Sequence, residues 1–242
     1  INLLACATAV FFASNAALAG NVSVFGPWLG PDQESLEAVL DGYTNATGNT
    51  YSYVGSDSFE QQARIDAEAG SSANVSVFPQ PGLAADFAKL GFLTPLASGT
   101  DDWVRDNYAA GQSWVDLGTY ESQDGNDNLY GFFFKIDVKS LVWYSPENFD
   151  DAGYAVPSTM EDLKALNDRI VADGTTPWCI GLGSGGATGW PATDWVEDMM
   201  LRTQSPAVYD DWVSNEMKFN DPRVVAAIEQ FGAFARNEAY VS

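Results

Sequence analysis

The feature that most constrains the fold is a repeated pentapeptide. The sequence NVSVF occurs at 21–25 and again at 74–78, each time with alternating valines and each time followed by a loop rich in glycine and proline. This pattern predicts two buried strands that end in shaped loops. Between the two copies, TYSYV at 50–54 predicts a further strand, and amphipathic stretches around it predict helices. Strands that alternate with helices of this length indicate βαβ units and a mostly parallel α/β sheet.

Capping signals place two of the helix starts. Ser58 followed by Gln61, and Ser158 followed by Glu161, have the spacing of a capping box, in which the two side chains satisfy backbone N–H groups at the first turn. We therefore predict that Ser58 opens one helix and that Ser158 caps another.

Three loops follow the predicted strands of the first half. In parallel sheets, ligands bind outside the carboxyl ends of the strands. Trp28 and Gln80 lie in two of these loops and so point to one crevice, and Asp57 lies in the third. Two local alternatives stay open: the Trp28 ring could fold back onto its own domain, and Asp57 could cap the helix that follows it.

The second half contains a new α/β unit. The segment YGFFFKIDVKSLVWY at 130–144 predicts a strand and then a second, apolar strand, and TPWCIGL at 176–182 predicts a third. A helix whose buried face carries Leu163, Leu166 and Ile170 is predicted between them.

Two tryptophans near a glycine-rich loop have different predicted roles. One helical face is formed by Ala192, Trp195, Val196, Met199 and Met200. Trp195 is therefore predicted to be a core residue. Trp190 precedes Pro191, the residue suited to a first helical position, so Trp190 is expected in the loop, where it is the better platform for a ligand. The acidic Asp194 nearby suits the helix dipole.

The first nineteen residues are apolar, carry no charge and end in Ala17-Leu18-Ala19. This is the h-region and small-residue cleavage pattern of a secretory signal peptide, and a membrane anchor is the alternative. Export would leave Cys179 as the only thiol, which allows no internal disulfide and no cysteine-based zinc cluster.

Charge and composition exclude several classes of function. With 33 acidic and 11 basic residues the formal net charge is −22, so nucleic acid is not expected as a partner. The charge favours either a solubility or high-salt adaptation of the surface or a cationic ligand. The sequence contains no histidine, which excludes His-dependent catalytic triads and imidazole metal sites.

Three local motifs do not carry their usual chemistry. GLGSGG at 181–186 matches a dinucleotide fingerprint, but no helix follows the third glycine directly. DGNDNL at 124–129 resembles the start of a calcium loop, yet Leu129 and Lys135 occupy the places of the turn glycine and the bidentate glutamate. No spacing singles out a pair of glycosidase carboxylates.

The remaining interpretation is a crevice with indole rings, glycine backbone and scattered polar groups. Sugars fit such a site, because they expose apolar C–H faces to aromatic rings and hydroxyls to fixed hydrogen-bonding groups.

Three long segments resemble one family, the solute-binding proteins of carbohydrate ABC importers, and within it the α-glucoside-binding group of the maltose-binding-like class. They are FPQPGLAADFAKLGFLTPL, YGFFFKIDVKSLVWYSPENFDDAGYAVPSTMEDL and TPWCIGLGSGGATGWPATDWVEDMMLR.

The resemblance implies an α/β fold with two lobes, the type II periplasmic binding protein fold. The implied division is a signal peptide over 1–19, an N-terminal lobe over 20–136, and an incomplete second lobe over 137–242. It further implies a periplasmic, monomeric protein that closes on an oligosaccharide and presents it to a membrane permease. No cofactor, no metal and no chemistry on the ligand are implied.

The resemblance also implies a set of ligand contacts, at the positions that match its motifs. These are Trp28, Asp57, Phe78, Gln80, Lys135, Asp137, Gly185, Gly186, Ala187, Thr188 and Trp190. Two functions of other classes are kept as alternatives: a secreted carbohydrate-active enzyme, and a binding protein for cationic solutes such as polyamines.

Overall fold

A computed structural model describes residues 20–139 and 141–241. The described residues form two compact units, the first over 20–95 and 119–130 and the second over 96–118 and 131–241. Residues 96–118 and 131–136 thus group with the second unit by their chain contacts. The division into lobes over 20–136 and 137–242 stays a prediction. The predicted signal peptide over 1–19 lies outside the described residues.

Unit 1 alternates strands with helices. Its elements are β1 (Asn21–Gly26), α1 (Gly30–Thr47), β2 (Thr50–Gly55), α2 (Phe59–Glu68), β3 (Val75–Ser76), α3 (Pro81–Lys89), β4 (Thr119–Glu121) and β5 (Asp127–Leu129). The helix α1 ends where Gly48 takes the left-handed conformation (φ 74°) and donates its N–H to the Thr44 carbonyl.

The main sheet of unit 1 is parallel, as the sequence predicts. Its strand order is β2-β1-β3, with β1 parallel to both neighbours. Asn21 pairs with Thr50 at one end of the β1–β2 ladder and Gly26 with Gly55 at the other. The second NVSVF copy forms a strand only over Val75–Ser76. β4 and β5 form a separate antiparallel pair.

Two apolar clusters hold the sheet of unit 1 to its helices. On one side, Phe25, Phe59 and Phe87 are buried together, with Phe59 about 1% exposed. On the other side, Val24 and Leu36 are buried in a second cluster. Adjacent residues of β1 thus enter different clusters, which is the period-2 alternation of a strand covered on both faces.

Unit 2 is mostly helical. Its elements are α4 (Thr100–Asn107), α5 (Gly111–Leu117), α6 (Pro146–Ala152), α7 (Met160–Ala172), α8 (Trp190–Thr203), α9 (Pro206–Val213) and α10 (Pro222–Ala235), with a 3-10 turn at Gly185–Ala187. Met199 and Met200 of α8 are buried with Trp212 of α9 and with Val224 and Phe234 of α10.

The prediction that Trp195 is a core residue is confirmed. Its ring packs against the cluster of unit 2 and lies 5.6 Å from the Trp178 ring, 5.5 Å from Phe231 and 5.9 Å from Phe234, centroid to centroid. Its place on the face shared with Met199 explains this outcome.

The prediction of two strands over 130–144 is wrong for the residues that the structure describes. None of residues 130–139 and 141–144 lies in a strand, and large apolar side chains there are exposed, up to 88% for Trp143. The residue pattern is suited to a sheet, but a strand forms only where a neighbouring strand completes the hydrogen-bond ladder. The strand predicted over 176–182 is reduced to a single parallel bridge between Trp178 and Val241.

The prediction that Ser58 opens a helix is confirmed, since Ser58 is the N-cap residue of α2, although its side chain makes no capping bond. Two other predicted helix starts need correction. The cap of α7 is Thr159 rather than Ser158, with the Thr159 hydroxyl accepting from the Asp162 N–H at 3.0 Å. Trp190 is the first residue of α8 rather than a loop residue, because Gly189 (φ 102°) takes the N-cap position.

Within the described part of the chain, no helix combines the length and apolar content needed to cross a membrane.

Candidate functional site

The sheet of unit 1 brings three predicted contact loops to one edge. Because β2, β1 and β3 are parallel and adjacent, the loops at their carboxyl ends follow one another along the same side of the sheet. Backbone bonds tie these ends together: the Ser56 N–H donates to the Gly26 carbonyl at 3.0 Å, and the Val77 N–H donates to the Phe25 carbonyl at 2.8 Å. The loop residues Trp28, Asp57, Phe78 and Gln80 therefore share this edge.

Trp28 is held by both its backbone and its ring. The Tyr53 hydroxyl accepts from the Trp28 N–H at 3.1 Å and donates to the Trp28 carbonyl at 3.0 Å. The ring is half-buried and packs against the cluster that contains Val24 and Leu36. Part of this ring is therefore structural, as the first of the two local alternatives describes.

Gly55 lets the β1 loop lie close to the end of β2. A Cβ at position 55 would stand 2.0 Å from the Trp28 carbonyl oxygen and 3.0 Å from a methyl of Leu29. Real Cβ atoms do not approach so closely, so the position of the Trp28 loop depends on a residue without a side chain.

The other three side chains at this edge differ in exposure. Asp57 is exposed, and its carboxylate accepts from the Ser58 hydroxyl at 3.2 Å. Gln80 is exposed and caps α3, with its side-chain oxygen accepting from the Leu83 N–H at 3.2 Å. Phe78 is half-buried, and its ring stands edge-on to two core rings, with centroids 5.7 Å from Phe59 and 5.5 Å from Phe87.

In unit 2 the glycine-rich loop before α8 closes on itself. The Thr188 hydroxyl accepts from the Ser184 N–H at 3.0 Å and donates to the Gly185 carbonyl at 2.7 Å. The Gly189 N–H donates to the Leu182 carbonyl at 2.8 Å. These bonds shape residues 185–188, of which Gly185, Gly186 and Thr188 are exposed and Ala187 is half-buried.

Trp190 stands at the end of this loop and is 47% exposed. Lys139 lies over it, with Nζ 4.3 Å from the centroid of the Trp190 ring. The same ammonium is 3.2 Å from a carboxylate oxygen of Asp194, one turn further along α8. This is a cation–π contact combined with an ion pair.

Lys139 is a residue that the sequence analysis does not single out as a contact. Lys139 and Trp190 are far apart in the chain, and no local pattern links a lysine at the end of one segment to the first residue of a later helix. Asp194 is predicted only as a stabiliser of the helix start, and the structure adds its ion pair with Lys139.

Lys135 and Asp137 form an ion pair at 3.4 Å in the same exposed segment as Lys139. Among the described residues, no three His, Cys, Asp or Glu side chains are grouped so that they could hold a metal ion. Each unit by itself thus carries aromatic and polar groups near its loops, the kinds of group that line ligand-binding sites.

A parallel α/β unit with such loops is typical of a protein that binds small solutes. The chain belongs to the bacterial extracellular solute-binding protein family, whose family model matches residues 27–239.

Two curated relatives cover most of the chain. This chain is 60% identical over 220 residues to the alpha-glucosides-binding periplasmic protein AglE of Rhizobium meliloti. The matched region covers 91% of this chain and 48% of that protein. The chain is 43% identical over 221 residues to the osmoprotective compounds-binding protein GgtB of Synechocystis, covering 91% of this chain and 51% of that protein. The chain therefore spans about half the length of these relatives.

The fold matches a solved structure as well. A protein studied for xylan utilization by the thermophilic bacterium Caldanaerobius polysaccharolyticus superposes with a TM-score of 0.68 at 17% identity, over 91% of this chain and 54% of that one. The predicted α/β fold of the periplasmic binding proteins is thereby confirmed. The individual contact residues stay a prediction.

Proposed function

We propose that the protein is the binding component of an ABC importer and that it takes up α-glucosides or related oligosaccharides in the periplasm. The observation that carries this proposal is the 60% identity to an alpha-glucosides-binding periplasmic protein over 91% of the chain. Identity at this level, extended over both compact units, supports the same class of ligand.

The surfaces described above support a sugar as the ligand. Trp190 offers an exposed ring on which the apolar face of a sugar can stack, and the neighbouring loop offers backbone groups and the Thr188 hydroxyl. In unit 1, Asp57 and Gln80 bring carboxylate and amide groups to the edge where Trp28 lies. We propose that all eleven predicted positions belong to the ligand-binding surface, with Phe78 and Trp28 also serving their core clusters.

The proposed mechanism is binding without chemistry. A ligand that makes more contacts in one conformation shifts the population toward it, and a permease that recognises this conformation then receives the ligand unaltered. The protein acts as a monomer and uses no cofactor in this proposal.

A second candidate ligand is an osmoprotective compound, because GgtB is 43% identical over nearly the same residues. This relative is less similar than AglE, so we place α-glucosides first. The two classes are separated by including osmoprotectants that contain no glucose, such as glycine betaine, in the same ligand panel.

The proposal is tested by calorimetric titration of the complete protein with maltose, trehalose, sucrose and compatible solutes. We expect one α-glucoside to bind with micromolar affinity or better. In Trp190→Ala we expect the affinity to fall about tenfold, since a stacked ring contributes on the order of 1 kcal/mol beyond its buried area. The matched control is Trp143→Ala, which removes a tryptophan that is 88% exposed, and it should leave the affinity unchanged.

Three results would count against this proposal. Absence of binding to every sugar of the panel would remove the ligand class. An equal loss in Trp143→Ala would remove the role of Trp190. Binding of a polyamine that collapses with added salt, in place of sugar binding with little salt dependence, would favour the cationic-solute alternative.

A further inference from the structure

Lys139 covers one face of the Trp190 indole. The ammonium of Lys139 lies 4.3 Å above the centroid of the Trp190 ring and 3.2 Å from the Asp194 carboxylate. Asp194 is four residues after Trp190 in α8, so the ring and the carboxylate lie on one side of the helix and hold the ammonium between them. The three residues are called the Lys139 clamp below.

The clamp and a stacked sugar compete for the same space. A sugar ring that packs on an indole brings its C–H groups to about 4 Å from the ring face, the distance of ordinary carbon contacts. The ammonium stands at this distance over the centroid. A ligand can therefore use this face of Trp190 only after the ammonium has moved away.

The clamp is weak enough to open. The side chains of Lys139 and Asp194 are 49% and 31% exposed. Ion pairs and cation–π contacts at such exposure contribute little individually, because water solvates the separated groups well. The Lys139 side chain is long and flexible, so it can leave the ring without movement of α8.

We propose that Lys139 is an affinity-determining residue: it covers the face of Trp190 in the ligand-free protein and is displaced when the sugar stacks there. This inference rests on the proposed function, because it takes a sugar as the ligand. It assigns to Lys139 a role opposite to that of a contact residue, since its removal strengthens binding.

The test is the affinity for the α-glucoside found in the panel, measured by calorimetry in the full protein. In Lys139→Ala, which removes both the ammonium and the chain that reaches the ring, we expect binding about threefold to tenfold tighter. Lys139→Arg retains a cation over the ring and should bind no more tightly than the unmodified protein. Lys164→Ala is the matched control for loss of one positive charge on unit 2, and it should leave the affinity unchanged.

A double variant assigns the effect to the ring. If Lys139 acts by covering Trp190, then Lys139→Ala adds no affinity once Trp190 has been replaced by alanine. Weaker binding in Lys139→Ala would mean that the ammonium contacts the sugar, and unchanged binding would mean that the clamp does not limit the site. Either result overturns the inference while leaving the proposed function in place.

A second readout needs no sugar. The contribution of Trp190 to fluorescence is obtained by subtracting the spectrum of the matching Trp190→Phe variant. We expect acrylamide to quench this contribution more strongly in Lys139→Ala than in the unmodified protein, because alanine is too short to cover the ring face. Equal quenching overturns the inference whether or not a sugar binds. Absence of sugar binding, by contrast, contradicts the proposed function.

Discussion

At the scale of single residues, Tyr209 has a hydroxyl whose pKa shift can be measured. The Tyr209 hydroxyl donates to a Glu197 carboxylate oxygen at 3.1 Å, and the ring packs against the core cluster of unit 2. Burial, and next the negative charge of Glu197, raise the pKa of Tyr209 from 10.0 to about 12. Both causes disfavour the phenolate.

The raised pKa of Tyr209 predicts how stability depends on pH. Between about pH 10 and pH 12 the unfolded chain loses the Tyr209 proton while the folded protein keeps it. Deprotonation of the unfolded state alone favours unfolding, so the free energy of unfolding falls as the pH rises through this window. We expect denaturant titrations at pH 9 and pH 11 to show a smaller loss in Tyr209→Phe than in the unmodified protein.

The control for this prediction is Tyr43→Phe, which removes the hydroxyl of an exposed tyrosine in α1, an acceptor from the Asn49 side chain at 3.0 Å. It should lose as much stability between pH 9 and pH 11 as the unmodified protein does. If Tyr209→Phe loses as much as the control, the Tyr209 hydroxyl is not the group that titrates in this window.

Residue roles were predictable where they depend on local periodicity. Trp195 lies on the same helical face as Met199, so its core position follows from the sequence, whereas Trp190 lies off that face and is 47% exposed. The Lys139 clamp joins segments that are far apart in the chain, so no window of sequence contains it. Packing partners of this kind become known only from the folded structure.

At the scale of elements, the sequence predicted strands where both the pattern and the partner exist. β1 and β2 have alternating residues and pair with each other along their whole length. The segment over 130–144 has an equally strong apolar pattern, yet its described residues form no strand. Local propensity records how residues fit a sheet, whereas strand formation also needs a neighbour in register, which local propensity does not specify.

Gly55 provides a test at this scale. In Gly55→Ala the new methyl would meet the Trp28 carbonyl at 2.0 Å, so the Trp28 loop must move away from β2. We expect the substitution to destabilise the protein by about 1–3 kcal/mol, the usual cost of overpacking. The measurement is the denaturant midpoint of unfolding.

The matched control is Gly42→Ala, at an exposed position away from the ends of α1, where an added Cβ meets nothing within 4 Å. The same change of residue should stabilise the protein there by about 0.5–1 kcal/mol, because alanine loses less backbone freedom in a helix. A Gly55→Ala midpoint at or above that of the unmodified protein would show that the loop tolerates a side chain and is not held by close approach.

At the scale of the whole molecule, alternating elements indicated the α/β class, and the absence of histidine together with the net charge of −22 removed several functions. The ligand class did not follow from composition. It rests on long motifs of a family to which the chain belongs and on its identity to AglE. The predicted contacts lie on loops of the two compact units, in the segment of Lys135 and Asp137, and at the start of α8. Which hydroxyls of a sugar each would bind depends on side-chain geometry that no motif encodes.

We propose that the protein binds an α-glucoside and releases it unaltered. The most direct measurement is equilibrium dialysis of the complete protein against a radiolabelled α-glucoside chosen from the panel, followed by chromatography of the recovered sugar. We expect label to accumulate on the protein side, to exchange with unlabelled sugar, and to be recovered as the starting compound. Absence of accumulation, or recovery of the label as a cleavage or transfer product, would contradict the claim.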